Sequence, residues 1–307
     1  MTYQHKLKEI VLSDPKYLVM TAENRGPLRN IIDDLGSRFL DVGIMEQGMI
    51  GTAAGLALRG RVPIVHSLSC FLTMRAFEFV RTDVGLGKLP VKMTGTLAGF
   101  LSEANGPTHQ SIEDIGLMRM IPNVNIFCPA DELELCEALP IILESPQPWY
   151  IRFNPRRPVE RATVAFAVGQ AEVVRKPGEV TILTYGALFE QAYAAALRLE
   201  RNGISTGLIN MRTLKPVDEC AVVAAAKESG LLVIVEDHLS TGGLYSIVCE
   251  TLVAQNCCCP VVSLSLNQRW FKPLLYHDVL DFEGFSGEKL AERIAAAWEG
   301  LASQEPG

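Results

Sequence analysis

The sequence predicts an α/β protein of two doubly wound domains, and three observations carry that prediction. Strand-length apolar runs alternate with stretches of helical apolar spacing along the whole chain, the pattern of largely parallel sheets. A chain of 307 residues is long enough to bury two separate cores. A proline- and charge-rich stretch, Asn154-Pro155-Arg156-Arg157-Pro158-Val159-Glu160-Arg161, interrupts the alternation near the middle. The predicted division is therefore a first domain over residues 1–158, a linker over 159–178, and a smaller second domain over 179–307.

In the first domain the apolar runs at 17–20, 39–42, 62–66, 91–95, 124–127 and 149–153 predict strands. Between them, apolar residues recur at helical spacing over 46–59, 72–81, 112–120 and 132–143. In the second domain, 180–185, 205–210, 231–236 and 261–266 predict strands, and 189–201, 217–227, 243–254 and 287–298 predict helices. No repeat at solenoid period and no low-complexity segment is present.

Composition excludes several classes of function. No segment approaches 18 uninterrupted apolar residues, so no membrane span is expected. The first nine residues, Met1 to Glu9, are polar and mixed in charge, so a cytoplasmic protein is expected. A net charge of -7, with 28 basic residues dispersed along the chain, gives no basic stripe for nucleic acid. Five of the eight cysteines lie inside apolar runs, and Cys257-Cys258-Cys259 are adjacent without zinc spacing. Structural thiols are expected rather than disulfides or a metal site.

One stretch organises the rest. The strand end at Asp41-Val42 runs through Gly43 into a helix on which Gly48, Gly51, Ala54 and Gly55 recur at helical spacing. Each interior glycine costs about 1 kcal/mol against alanine, so close packing against this helix is expected. Glu46 stands at its start, where the helix dipole favours a carboxylate; it either serves the dipole or acts on a bound molecule. The loop from Ala98 to Asp114, containing Gly106-Pro107-Thr108-His109-Gln110, follows a predicted strand and leads into a helix. His109 is either a loop or capping histidine or a site residue. Both Glu46 and this loop fall at carboxyl ends of predicted parallel strands, where open α/β sheets place ligands.

These residues carry a resemblance. Asp41-Val42-Gly43-Ile44-Met45-Glu46-Gln47, the Gly106-to-Gln110 loop with Ile112-Glu113-Asp114, Ile121-Pro122-Asn123 and Cys128-Pro129-Ala130-Asp131 resemble the transketolase family. Thr184-Tyr185-Gly186, Val235-Glu236-Asp237-His238 and Gly242-Gly243-Leu244 extend it through the second domain. The chain is most similar to the carboxyl-terminal subunit of two-chain transketolases. The resemblance implies a pyrimidine-binding first domain and a transketolase C-terminal second domain. It also implies thiamine diphosphate held between two chains, with Mg2+ or Ca2+ held mainly by a partner subunit that carries the diphosphate-binding domain. The implied assembly is α2β2, and the implied reaction moves a two-carbon ketol unit from a ketose or ketose phosphate to an aldehyde.

By that resemblance Glu46 bonds the aminopyrimidine ring and exchanges a proton with it, and Phe71 packs on the ring, with Ile44 and Leu68 beside it. Phe71 is equally suited to the core. His109 is matched to contact with the donor's first hydroxyls and Arg152 to substrate phosphate, with His66 and Asn105 in the substrate set. Departures lie mainly in the substrate residues. Leu68 and His66 replace an aromatic and a small residue, and Leu97 replaces a histidine that helps bind sugar phosphate. Glu103-Ala104-Asn105-Gly106 replaces an acidic Gly-Glu-Asp-Gly run, and Thr21-Ala22-Glu23-Asn24-Arg25-Gly26 replaces an aspartate-rich stretch. Intact cofactor residues with altered substrate residues are expected. The rival assignments are a beta subunit of a 2-oxo acid dehydrogenase, distinguished by a lipoyl acceptor, and a non-catalytic scaffolding subunit.

Overall fold

A computed structural model describes residues 2–303. Twelve strands form two sheets. The first contains β1 (Tyr17–Thr21), β2 (Phe39–Asp41), β3 (Val62–Leu68), β4 (Lys92–Thr96), β5 (Asn125–Phe127) and β6 (Trp149–Arg152). The second contains β7 (Glu172–Arg175), β8 (Val180–Thr184), β9 (Thr206–Asn210), β11 (Leu231–Leu239) and β12 (Val261–Leu266), while β10 (Thr213–Lys215) joins the first. The orders are β10-β5-β6-β4-β3-β1-β2 and β12-β11-β8-β9-β7. All pairings are parallel except β10 with β5 and β7 with β9.

Strands covered on both faces read as unbroken apolar runs, which is why most were visible in the sequence. Alternate side chains then separate. Tyr17 and Val19 of β1 pack with Tyr3, Leu7 and Val11 of the helix Tyr3–Ser13 on one side. Leu18 and Met20 pack on the other with Met49, Ile50 and Ala53 of the helix Glu46–Leu58. That second core continues into the other domain through Leu183, Ile209 and Ile234. A third core lies between the second sheet and the helices Phe189–Arg201 and Gly287–Ala302.

Residues 159–178, expected as a linker, include β7 and are tied down by charge. The Arg161 side chain is buried and paired with Asp131 at 2.6 Å and Glu172 at 3.2 Å, so this segment links the two sheets. The helix expected over 72–81 is irregular: π-helical turns at Phe71–Arg75 and Val80–Gly85 flank the turn Phe77–Phe79. Wide turns of this kind occur often at functional sites. Among the described residues, the close packing expected on the glycine helix is met at Gly48, where a Cβ would lie 3.0 Å from the Met45 side chain, but not at the next two glycines. Space around Gly55 is open, a side chain at Gly51 would meet only ordinary contacts, and Leu58 is 74% exposed.

The second-domain residues Glu236, Asp237 and His238 hold structure together. Glu236 accepts the N–H groups of Leu244 and Tyr245, the first turn of the helix Leu244–Ala254. His238 Nε2 accepts from Gly116 N–H at 3.3 Å, across the domain contact where Gly116 and Gly242 meet backbone to backbone. Asp237 Oδ2 accepts from Phe100 N–H at 3.1 Å. Gly99, at φ +55°, permits this approach: a Cβ there would lie 1.9 Å from Asp237 Oδ2.

Candidate active site

The carboxyl ends of β1 to β4 form one edge, and the chain reverses there by identifiable means. Asp41 Oδ1 accepts from Gly43 N–H at 3.0 Å, and Gly43 takes a positive φ of 73° that starts the helix Glu46–Leu58. Glu46 is thereby placed at the helix head, 1% exposed. Its Oε1 accepts from Ser67 Oγ at 3.4 Å and its Oε2 from Arg75 Nη1 at 2.8 Å. The Arg75 guanidinium lies over the Phe71 ring at 4.0 Å from its centroid. Phe71 in turn meets the half-buried His109 ring edge to face, with centroids 5.2 Å apart. Thr108 Oγ1 is 2.9 Å from His109 Nδ1, fixing the imidazole from the loop side.

Glu46, Phe71 and His109, expected together from the sequence, are thus brought into one row by Arg75. The arginine was missed. Its only local signal is position: four residues after Phe71, the π-helical turn folds it back over the ring. Leu68 is half-buried at the end of β3, and Ile44 is exposed beside the helix head. Asn105 is exposed and donates to Ser102 O at 2.6 Å.

Two expected substrate residues have other partners. His66 lies wholly inside the first sheet, with Nε2 2.7 Å from Tyr3 Oη. Burial lowers its pKa to about 4, so it is neutral there. Arg152 is 4% exposed and engages all three guanidinium nitrogens: Nε on Asp114 at 2.9 Å, Nη1 on Asp237 Oδ1 at 2.5 Å, and Nη2 on Asp237 O at 3.3 Å. It bridges the domains and presents no unengaged nitrogen to a phosphate, because two buried carboxylates surround it.

The row fits an aminopyrimidine. A buried carboxylate offers a hydrogen-bond acceptor, the half-buried Phe71 offers a flat apolar contact, and Leu68 and Ile44 supply apolar surroundings. Among the described residues no group of three or more His, Cys, Asp or Glu side chains is arranged to hold a metal ion. No helix among them is long and apolar enough to cross a membrane.

Residues 1–157 match the family described as "Transketolase, pyrimidine binding domain", and residues 169–290 match "Transketolase, C-terminal domain". The chain is 36% identical over 265 residues to the 6-deoxy-6-sulfo-D-fructose transketolase subunit SqwH of Clostridium sp. (strain MSTE9), covering 85% of this chain and 82% of that protein. It is 33% identical over 257 residues to an apulose-4-phosphate transketolase subunit of Phocaeicola vulgatus, covering 82% of each. A solved split gene transketolase, an inactive beta4 tetramer, superposes with a TM-score of 0.86 at 31% identity over 97% of both chains. With both domains matched in order and relatives of similar length aligned along most of the chain, this protein belongs to the transketolase family, whose members are thiamine-diphosphate-dependent transferases.

Proposed function

We propose that this chain is the C-terminal subunit of a two-subunit transketolase, moving a two-carbon ketol unit from a ketose or ketose phosphate donor to an aldehyde acceptor. The observation that carries the proposal is the row Glu46, Arg75, Phe71 and His109 on the carboxyl edge of a parallel sheet. Thiamine diphosphate, when bound, supplies the carbanion stabilisation that ketol transfer requires. Glu46 holds the aminopyrimidine and moves a proton at its ring nitrogen, while Ser67 and Arg75 fix the carboxylate. Phe71 packs on the ring beside Leu68 and Ile44. His109, oriented by Thr108 and Phe71, reaches the donor's first hydroxyls, and Asn105 lies on the substrate side.

A separate N-terminal subunit carries the diphosphate-binding domain and most of the ligands for Mg2+ or Ca2+, in an α2β2 assembly. Two features support a contact at the edge of the row. Ile44, Met45, Leu58 and Leu86 are exposed around the glycine helix, and that helix has an open small-residue face. The similar beta4 tetramer is described as inactive, which agrees with a requirement for a second subunit. The test is ketol transfer by the purified chain with cofactor and Mg2+, alone and after mixing with an N-terminal subunit. Turnover only in the mixture is expected; full activity of the chain alone would defeat the proposal.

A further inference from the structure

A cavity of about 520 Å³ opens beside the row, on the same carboxyl edge. It is bounded by Asn24 after β1, Thr96 and Leu97 after β4, and Phe153 after β6, with Leu101 and Glu103 from the 3-10 segment Gly99–Asn105, which is kinked at Glu103. The end of a parallel sheet is where such folds bind small molecules. Two non-glycine residues of its wall, Leu97 at φ +56° and Glu103 at φ +50°, occupy left-handed backbone conformations. Backbones of this kind persist where the surrounding structure over-determines them, which fixes where these side chains stand.

The chemistry of the wall is unusual for a site that would hold a sugar phosphate. Among the described residues no lysine, arginine or histidine lines the cavity. Its ionisable side chains other than Tyr3 are Glu103 and Glu132, and Glu132 Oε1 accepts from Tyr3 N–H at 2.9 Å. From this chain a phosphate or sulfonate placed there would meet apolar carbon, two carboxylates and only the neutral groups of Asn24, Thr96 and Gln4. It would lose its hydration without gaining a cation. An uncharged polyhydroxylated chain meets suitable groups instead. Its C–H faces pack on Leu97, Leu101 and Phe153, and its hydroxyls reach the Asn24 amide and the Thr96 hydroxyl, which already bond one another across the wall.

We infer that this cavity is the distal substrate subsite and that it takes the uncharged, unphosphorylated end of a polyhydroxylated ketose or aldehyde. The inference rests on the proposed ketol transfer and narrows its substrate class. It sets this chain apart from the two relatives above, whose named sugars carry a sulfonate or a phosphate.

The test titrates the assembled complex with xylitol and with xylitol 5-phosphate, which fit a substrate subsite but cannot react. The wild type is expected to bind xylitol more tightly. Leu97→Arg, which adds a cation to the wall and removes an apolar contact, is expected to strengthen binding of the phosphate ester by about tenfold or more and to weaken binding of xylitol. A tenfold wild-type preference for the phosphate ester overturns the inference. Binding of neither compound, or an unchanged preference in Leu97→Arg, overturns it as well. Decarboxylation of hydroxypyruvate by the same complex reports separately on ketol chemistry. Its absence with the xylitol preference intact would remove the proposed reaction and leave the uncharged subsite standing.

Discussion

Glu46→Gln separates a carboxylate that acts on the cofactor from one that merely completes a helix. The substitution keeps the side chain's shape and one acceptor oxygen, enough for Arg75 with the amide N–H turned to Ser67 Oγ, and it removes the charge and the exchangeable proton. Two structural contributions are lost. The favourable placement of an acid at a helix head contributes about 0.3 to 1 kcal/mol. The pair with Arg75, whose side chain is 37% exposed, contributes up to about 1 kcal/mol after screening. Together these lower the melting temperature by roughly 1 to 8 °C for a domain of this size. Arg75→Ala removes the same pair while sparing the carboxylate, so the two variants should melt within a few degrees of one another. Their chemistry should differ. Loss of a hydrogen bond to a charged group weakens cofactor binding by about tenfold to a hundredfold, and loss of general acid–base function slows turnover by a further hundredfold or more. Cofactor titration by circular dichroism and ketol transfer, both in the reconstituted complex, measure these quantities. If Glu46→Gln binds cofactor normally and turns over within threefold of Arg75→Ala, Glu46 is a helix residue and the assignment is wrong.

Three further outcomes follow from the geometry. Arg152→Met leaves Asp114 and Asp237 buried without their counter-charge and should cost about 3 to 5 kcal/mol, read as a lower urea midpoint; unchanged stability with a raised KM for phosphorylated substrates would instead restore Arg152 as a phosphate ligand. Gly99→Ala forces a Cβ against Asp237 at a positive φ, and should lose at least about 1 kcal/mol by the same measurement. His66 is held near pKa 4 by burial against an ordinary 6.5, so its neutral form stabilises the fold fully above pH 6.5. As pH falls from 6.5 towards 4 the unfolded chain takes up the proton first. The wild type should therefore lose up to about 3 kcal/mol relative to His66→Gln across that window, and parallel melting curves of the two proteins against pH would refute it.

How much of this was legible in the sequence depended on whether the deciding interaction was local. Strands such as β1 and β6 were visible because burial on both faces makes them nearly continuous apolar runs. The helix Tyr3–Ser13 was not singled out, since its buried stripe is only Tyr3, Leu7 and Val11 among lysines and glutamates. Strand β10 was hidden for a different reason: three residues from the second half of the chain complete the first sheet by antiparallel pairing with β5. Nothing within Thr213–Lys215 states which sheet it joins. The glycine helix was legible as a helix, but among the described residues Gly55 faces open space and Gly51 meets only ordinary contacts, which no local pattern foretold.

The site divides along the same line. Glu46 and the His109 loop stand at strand ends, where position suggested a shared crevice without deciding either residue alone, and Phe71 entered only through the resemblance. Arg75 sits in a pattern that reads as an ordinary charged helix face, and only the widened turn reveals that it links the carboxylate to the ring. Arg152 differs again. The resemblance matched it to substrate phosphate, and the structure adds partners no local pattern shows, Asp114 and Asp237, the latter 85 residues away. A cation at a sheet's carboxyl edge is drawn equally by a substrate anion and by a buried acid of a neighbouring domain. Here the acids are present on both sides, and Asp114, at the end of the His109 loop, adds its contact with Arg152 to the anchors that Gln110 makes on Phe271 O and Ser111 makes on Ser69.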